Sequence, residues 1–174
     1  MPTLKTMNKD KKIYLRFIEE EDKEAIFNWR NDPVTIENSI TGKVNYLEHK
    51  IWFANKIKDI NTHLFIIINE FFEKVGIVFF NKKDNQAVIS ININPKFRGK
   101  GYGTATLLKA VSQYFDNFPA NSIIANIKEN NDISLKLFKQ IGFVEELKEK
   151  NLLTLRLTKD EFNKIRNKAL EHQF

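Results

Sequence analysis

The chain has 174 residues, 42% of them hydrophobic, with 28 Lys and Arg against 22 Asp and Glu, enough to bury one sizeable core. It has no cysteine, which excludes disulfides, thiolate metal sites and cysteine nucleophiles together, and its three histidines, His49, His63 and His172, are too scattered for a metal site. The formal net charge of +6 is spread along the chain rather than gathered on a face, so the expected partner is an anionic small molecule and not nucleic acid.

Residues 1–12 read as a flexible leader without the apolar centre of a signal peptide, and residues 13–174 as one domain. No apolar run reaches membrane-spanning length, so a cytoplasmic protein, monomer or homodimer, without a membrane partner is expected. Ile13–Ile18 alternates as a first strand, Glu20-Glu21-Asp22 loads negative charge at the start of a helix running to about Arg30, and Asn31-Asp32-Pro33 breaks it. Tyr46–Ile60 reads as a second helix with Leu47, Ile51, Phe53, Ala54 and Ile57 on its apolar side. Three strands follow, Leu64–Ile68, Val75–Asn81 and Ala87–Ile93, the last two joined by a hairpin. Then come a helix from Tyr102 to Phe115, a strand Ile123–Ile127, a helix Ile133–Ile141, an antiparallel pair Phe143–Leu147 and Leu152–Leu157, and a last helix within 159–171 opened by the capping sequence Thr158-Lys159-Asp160-Glu161. The order β-α-α-β-β-β-α-β-α-β-β-α is α+β, or mixed α/β, with a mostly antiparallel sheet of about seven strands.

One segment stands out. Arg98-Gly99-Lys100-Gly101-Tyr102-Gly103-Thr104 joins a strand to a helix and holds three of the six glycines. Glycine admits positive φ and lets a ligand approach the main chain. Successive N–H groups of such a loop, with those of the helix start, form a cradle for phosphate or pyrophosphate, to which Arg98 and Lys100 add mobile positive charge. The P-loop spacing is absent because Gly101 is followed by Tyr102, and the dinucleotide fingerprint fails because Gly103 comes one residue early.

What fits is the Arg-x-x-Gly-x-Gly/Ala signature, and the chain resembles the GCN5-related N-acetyltransferases (GNAT), which bind acetyl-coenzyme A. Asn131–Phe143, a helix opened by Asn and closed by Gly-Phe, resembles that family's second signature. The resemblance runs from about Ile13 to Leu157 and implies a fold whose two central parallel strands splay apart to admit the cofactor. It also implies that the strand before the loop carries a bulge and pairs with the pantetheine arm through Ile91, Asn92 and Ile93, one of whose N–H groups faces the thioester carbonyl. In the family Asn131 contacts the cofactor arm; as a residue it equally suits a helix N-cap. Many members place a tyrosine at position 138 to protonate the leaving thiolate. Phe138 cannot, leaving water or a residue such as Ser134, while its ring can pack the pantetheine end.

The acceptor is read from the segment between the first strand and the second helix. Trp29-Arg30-Asn31-Asp32-Pro33 and His49 before Trp52-Phe53 resemble acetyltransferases acting on nucleotide-linked 4-amino sugars, as in the pseudaminic-acid pathway, and more loosely those acting on ribosomal-protein N-termini and aminoglycosides. Arg30 suits a diphosphate or carboxylate, Asn31, Asn38 and Ser39 suit sugar hydroxyls, and Trp29 or Trp52 suits a ring face. The tryptophans equally suit a helix-to-sheet core, and Arg30 a helix end. Glu37, Glu48, Glu70, Glu73 and His49 are candidate bases. A non-catalytic acetyl-CoA-binding module is the remaining alternative.

Overall fold

The computed structural model describes residues 11–171, and side chains through 168. The leader expected over residues 1–12 therefore lies almost wholly outside the described residues. Seven strands form one sheet in the order β1-β2-β3-β4-β5-β7-β6, with β1 Ile13–Phe17, β2 Thr62–Asn69, β3 Lys74–Lys83, β4 Gln86–Ile93, β5 Ser122–Lys128, β6 Val144–Glu149 and β7 Leu152–Thr158. The helices are α1 Lys23–Arg30, α2 Pro33–Asn38, α3 Tyr46–Lys56, α4 Tyr102–Asn117, α5 Asp132–Gln140 and α6 Lys159–Glu171. Among the described residues no helix is long and apolar enough to cross a membrane, and no group of three His, Asp or Glu side chains could hold a metal ion.

Alternation along β2 shows why both faces of the sheet are covered. Phe65 and Ile67 join the larger core with Leu107, Val111, Tyr114, Phe138 and Phe162 of α4, α5 and α6. Leu64 and Ile66 point the other way and meet Ile26 and Trp29 of α1, Phe53 of α3 and Ile77 of β3. Of the apolar side expected for α3, only Phe53 faces inward. His49 and Phe53 are buried, whereas Leu47, Ile51, Ala54 and Ile57 are exposed. His49, Trp52 and Phe53 take the inward side instead, His49 stacking on Trp52 at 5.6 Å and lying 6.2 Å from Phe53.

α2 was not expected, since Asn31-Asp32-Pro33 reads as a break. Asp32 is its N-cap, accepting from the Thr35 N–H at 3.1 Å, and Pro33 takes the first turn, where its missing N–H costs nothing.

Every pair of neighbouring strands is antiparallel except β4 and β5, which are parallel and register at only three positions, Gln86↔Ser122, Ala87↔Ile123 and Val88↔Ile124. Beyond Val88, β4 stays with β3, and beyond Ile124, β5 stays with β7. The two central strands therefore splay, leaving an open edge on each. The expected bulge in β4 is absent. Its register with β3 runs unshifted from Lys83↔Gln86 to Gly76↔Ile93, and the shifts in the sheet lie elsewhere, at Ile67/Ile68 and Glu145/Leu147.

Candidate functional site

The open edge of β4 can be read from one hydrogen bond. The Asn94 N–H donates to Val75 O at 2.8 Å, so by alternation the N–H groups of Asn92 and Ser90 also face β3, and those of Ile91 and Ile93 face the gap. Of the three backbone positions singled out in the sequence, two present N–H groups to the cleft. Asn92 does not, and its side chain instead meets Thr35, Oγ1 to Oδ1 at 3.3 Å.

At the end of β4 the chain makes a short turn, Pro95–Phe97, and enters the glycine loop. Gly99 and Gly101 have φ of +70° and +82°, and a Cβ at either would meet nothing within 4 Å, so the space over the loop is open. Among the described residues the six N–H groups from Gly99 to Thr104 donate to no protein acceptor; the first bond of α4 is Ala105 N–H to Gly101 O, at 3.5 Å. A run of N–H groups without such an acceptor at a helix start, exposed from Gly99 to Gly101 and with Lys100 in it, fits a pyrophosphate. Gly99, Lys100, Gly101, Tyr102, Gly103 and Thr104 are thus brought together as expected, with two refinements. Tyr102 turns its ring into the core, 5.4 Å from Phe97. A Cβ at Gly103 would lie 3.4 Å from Leu137 Cδ2, at ordinary van der Waals contact, so this position faces α5 rather than the open space over the loop.

Arg98 departs further. It is no mobile cation. Its Nη1 donates to Asp32 Oδ2 at 2.5 Å, its Nη2 to Thr35 Oγ1 at 2.7 Å, and its Nε to Ile93 O at 3.1 Å. Burial raises the Asp32 pKa, but the Arg98 hydrogen bond and charge, with the Thr35 and Val34 N–H groups, outweigh it and hold the carboxyl below the usual range.

Across the gap, Asn131 is the N-cap of α5, its Oδ1 accepting from the Ser134 N–H at 3.1 Å. Ser134 is half-buried, and its hydroxyl makes no bond among the described residues. Phe138 is 3% exposed and set edge-on to Phe143 at 5.0 Å, so it is core rather than a free wall for pantetheine. Phe138→Ala should lower stability by about 3–5 kcal/mol, seen as a fall in the denaturation midpoint. Acetyl-CoA affinity of the folded variant, measured by calorimetry, should stay within a few-fold; a collapse of affinity at unchanged stability would put the ring at the cofactor.

The acceptor-side residues divide. Trp29 is buried in the smaller core, and Trp52 packs on its edge, 6.2 Å from Phe79. His49 is buried, with Nε2 2.8 Å from Lys23 O, and desolvation lowers its pKa, so it stays neutral inside the α1–α3 contact and is no base at the cleft. Asn31 spends its amide on Val44, donating to the carbonyl and accepting from the N–H, both at 2.9 Å. Asn38 donates to Val34 O within its own helix at 2.9 Å. Glu48 completes the capping box of α3, and Glu73 accepts from Asn69 at 2.7 Å. Arg30 keeps a distinctive environment: its Nη2 donates to Ser39 Oγ at 2.6 Å and to Thr41 Oγ1, its Nη1 is buried without a partner, and desolvation lowers its pKa.

Three contributors were missed. A Cβ on Gly76, the third residue of β3, would lie 2.4 Å from Asn92 O and 3.0 Å from Ile93 Cα, so glycine there is what lets β3 approach the open-edge residues of β4. A lone glycine inside a strand pattern is the signal for such an approach. Thr35 sits among Asp32, Asn92 and Arg98, and Lys128, at the end of β5, donates to Glu37 O at 2.8 Å. Nothing local in the sequence marks either.

The acetyltransferase (GNAT) domain family matches residues 12–144. The chain is 28% identical over 143 residues to an uncharacterised protein of Methanocaldococcus jannaschii, covering 80% of this chain but spanning only 29% of that protein's length. It is 24% identical over 121 residues to the acetyltransferase PseH of Campylobacter jejuni, covering 69% of this chain and 75% of the relative. The spermidine N-acetyltransferase of Vibrio cholerae, solved with CoA and spermine, shares the fold with a TM-score of 0.77 over 87% of this chain and 98% of that one, at 18% identity. The splayed parallel pair, the unpaired N–H cradle and the family match over most of the chain agree, and the chain belongs to the GCN5-related N-acetyltransferases, enzymes whose acetyl donor is acetyl-CoA.

Proposed function

We propose that the protein transfers the acetyl group of acetyl-CoA to a primary amine by direct attack, and that the acceptor is anionic, in the class of nucleotide-linked amino sugars. The observation that carries the acceptor class is Arg30. Its guanidinium is half-buried, bonded only to the neutral hydroxyls of Ser39 and Thr41, and forms no ion pair among the described residues. Lys128 reaches the same end of α2, at Glu37, and likewise has no carboxylate partner. Two uncompensated cations beside the acceptor segment favour a phosphate and oppose a polyamine. The identity to PseH supports the same direction as the Trp-Arg-Asn-Asp-Pro segment.

In transfer the amine nitrogen attacks the thioester carbon, the C–N bond forms, the C–S bond breaks, the amine loses a proton and the thiolate gains one. Acetyl-CoA supplies the activated acyl group. The Gly99–Thr104 N–H groups hold its pyrophosphate, and the Ile91 and Ile93 N–H groups lie along the edge where the thioester oxygen accumulates charge. Position 138 has no phenol, so the proton for sulfur comes from water or from Ser134, whose hydroxyl is uncommitted. A sugar amine, with a pKa depressed by neighbouring oxygens, loses its proton to water without a strong protein base.

Arg30→Ala should raise the KM for a UDP-linked 4-amino sugar by about ten- to a hundred-fold, one charge-assisted contact of about 1.5–3 kcal/mol. The KM for acetyl-CoA should barely move. A variant that is less stable but kinetically normal would return Arg30 to a structural role, and a wild-type preference for spermidine or peptide N-termini would reject the acceptor class.

A further inference from the structure

We infer that α2 is a strap across the mouth of the splayed strands, and that Asp32 and Thr35 are positioning residues for acetyl transfer, acting through Arg98 and Asn92 on the open edge of β4. The six-residue helix is tied to both arms. Asn92 and Lys128 lie four residues beyond the last paired positions, Val88 and Ile124, and each meets α2, at Thr35 Oγ1 and at Glu37 O. At about 3.3 Å per residue these ties sit roughly 13 Å out along the diverging strands.

The ties on the β4 side bracket one group. The Ile93 N–H, proposed above to face the thioester oxygen, lies between the Asn92 side chain, held by Thr35, and the Ile93 carbonyl, held by Arg98 Nε. Arg98 is itself fixed by Asp32 and Thr35. The Thr35 hydroxyl accepts from Arg98, and its single proton goes to Asn92 Oδ1 at 3.3 Å or Asp32 Oδ2 at 3.5 Å. The first residue of the glycine signature therefore spends its charge on the acceptor-side strap, and the strap sets the direction of the β4 edge. A carbonyl oxygen gathering charge is stabilised only by a donor already aimed at it, so an edge that wanders slows transfer more than it weakens binding. The cofactor's phosphates are held by other N–H groups and do not depend on the strap.

The inference rests on acetyl transfer at the β4 edge, and the experiment has one arm that needs no acceptor. In the first arm, CoA is titrated calorimetrically into wild type, Asp32→Asn, Thr35→Val and Thr35→Ser, and kcat is measured with the amine the wild type turns over best among a UDP-linked 4-amino sugar, spermidine and an alanyl peptide. Asp32→Asn and Thr35→Val should lose tenfold or more in kcat, while CoA affinity stays within about threefold or rises as Arg98 is freed toward the phosphates. Thr35→Ser, which keeps the hydroxyl, should restore kcat. In the second arm, hydrogen exchange of the Asn94 N–H, at the strapped end of the β3–β4 ladder, should quicken at least tenfold in both damaging variants while Val88, at the joined end, is unchanged. Exchange unaltered at Asn94 overturns the strap whichever amine is used, and so does full kcat in folded Asp32→Asn and Thr35→Val. Normal strap behaviour in a protein that acetylates none of the amines would instead overturn the proposed acceptor.

Discussion

Gly101→Asp is expected to abolish useful acetyl-CoA binding while leaving a folded protein. Gly101 caps α4 with φ of +82° and ψ of −2°, a left-handed conformation that costs a non-glycine residue about 1–3 kcal/mol. The open space at its Cβ is where the pyrophosphate fits, so the carboxylate enters an anion cradle and competes for the N–H groups from Gly99 to Thr104. Loss of two charge-assisted contacts of about 1.5–3 kcal/mol each predicts a hundredfold or greater fall in affinity by calorimetry. Gly101→Ala separates the causes, because it adds strain without charge and should lose less affinity. Undiminished binding by folded Gly101→Asp would remove the loop from the cofactor site. Gly103 would not serve for this test, since its side chain would point at Leu137 of α5 rather than into the open space over the loop.

The second large effect is at Gly76. A methyl there must displace backbone, with Asn92 O at 2.4 Å and Ile93 Cα at 3.0 Å from its ideal position. No rotamer change relieves a backbone contact, so β4 moves away from β3 at the residues whose N–H groups line the gap. Overpacking of this kind costs about 1–3 kcal/mol. We expect Gly76→Ala to lower the denaturation midpoint and to reduce kcat by at least tenfold, with CoA affinity less affected because the cradle begins six residues beyond Ile93. Wild-type turnover and stability in Gly76→Ala would show that the position of the β4 edge does not matter.

The strands were legible because burial imposes a period of two that survives in the sequence, and the run Leu64-Phe65-Ile66-Ile67-Ile68 is continuous because both faces are covered. The glycine loop was legible because its chemistry is local. α2 was not, since a helix of six residues leaves little periodicity and its Asp-Pro start looks the same as a break. The destination of Arg98 was also hidden: its partner Asp32 is 66 residues away, and no spacing rule reaches that far. His49 misled for a different reason. Its position in the acceptor segment suggests chemistry, but helical geometry places it one turn from Phe53, on the face that packs inward.

The position of the acceptor segment has a consequence for how such enzymes diversify. β1 and β2 are adjacent and antiparallel, neighbours that two residues could join, yet the chain places residues 18–61 between them. The sheet does not need this excursion for its own pairing, only for the cover that Ile26, Trp29 and Phe53 give one face, so a different segment covering that face could change the acceptor while the strands and the glycine loop stay as they are. The exchange has a second condition: any replacement must present a carboxylate to Arg98, or the β4 edge loses the anchor that a distant module lends it.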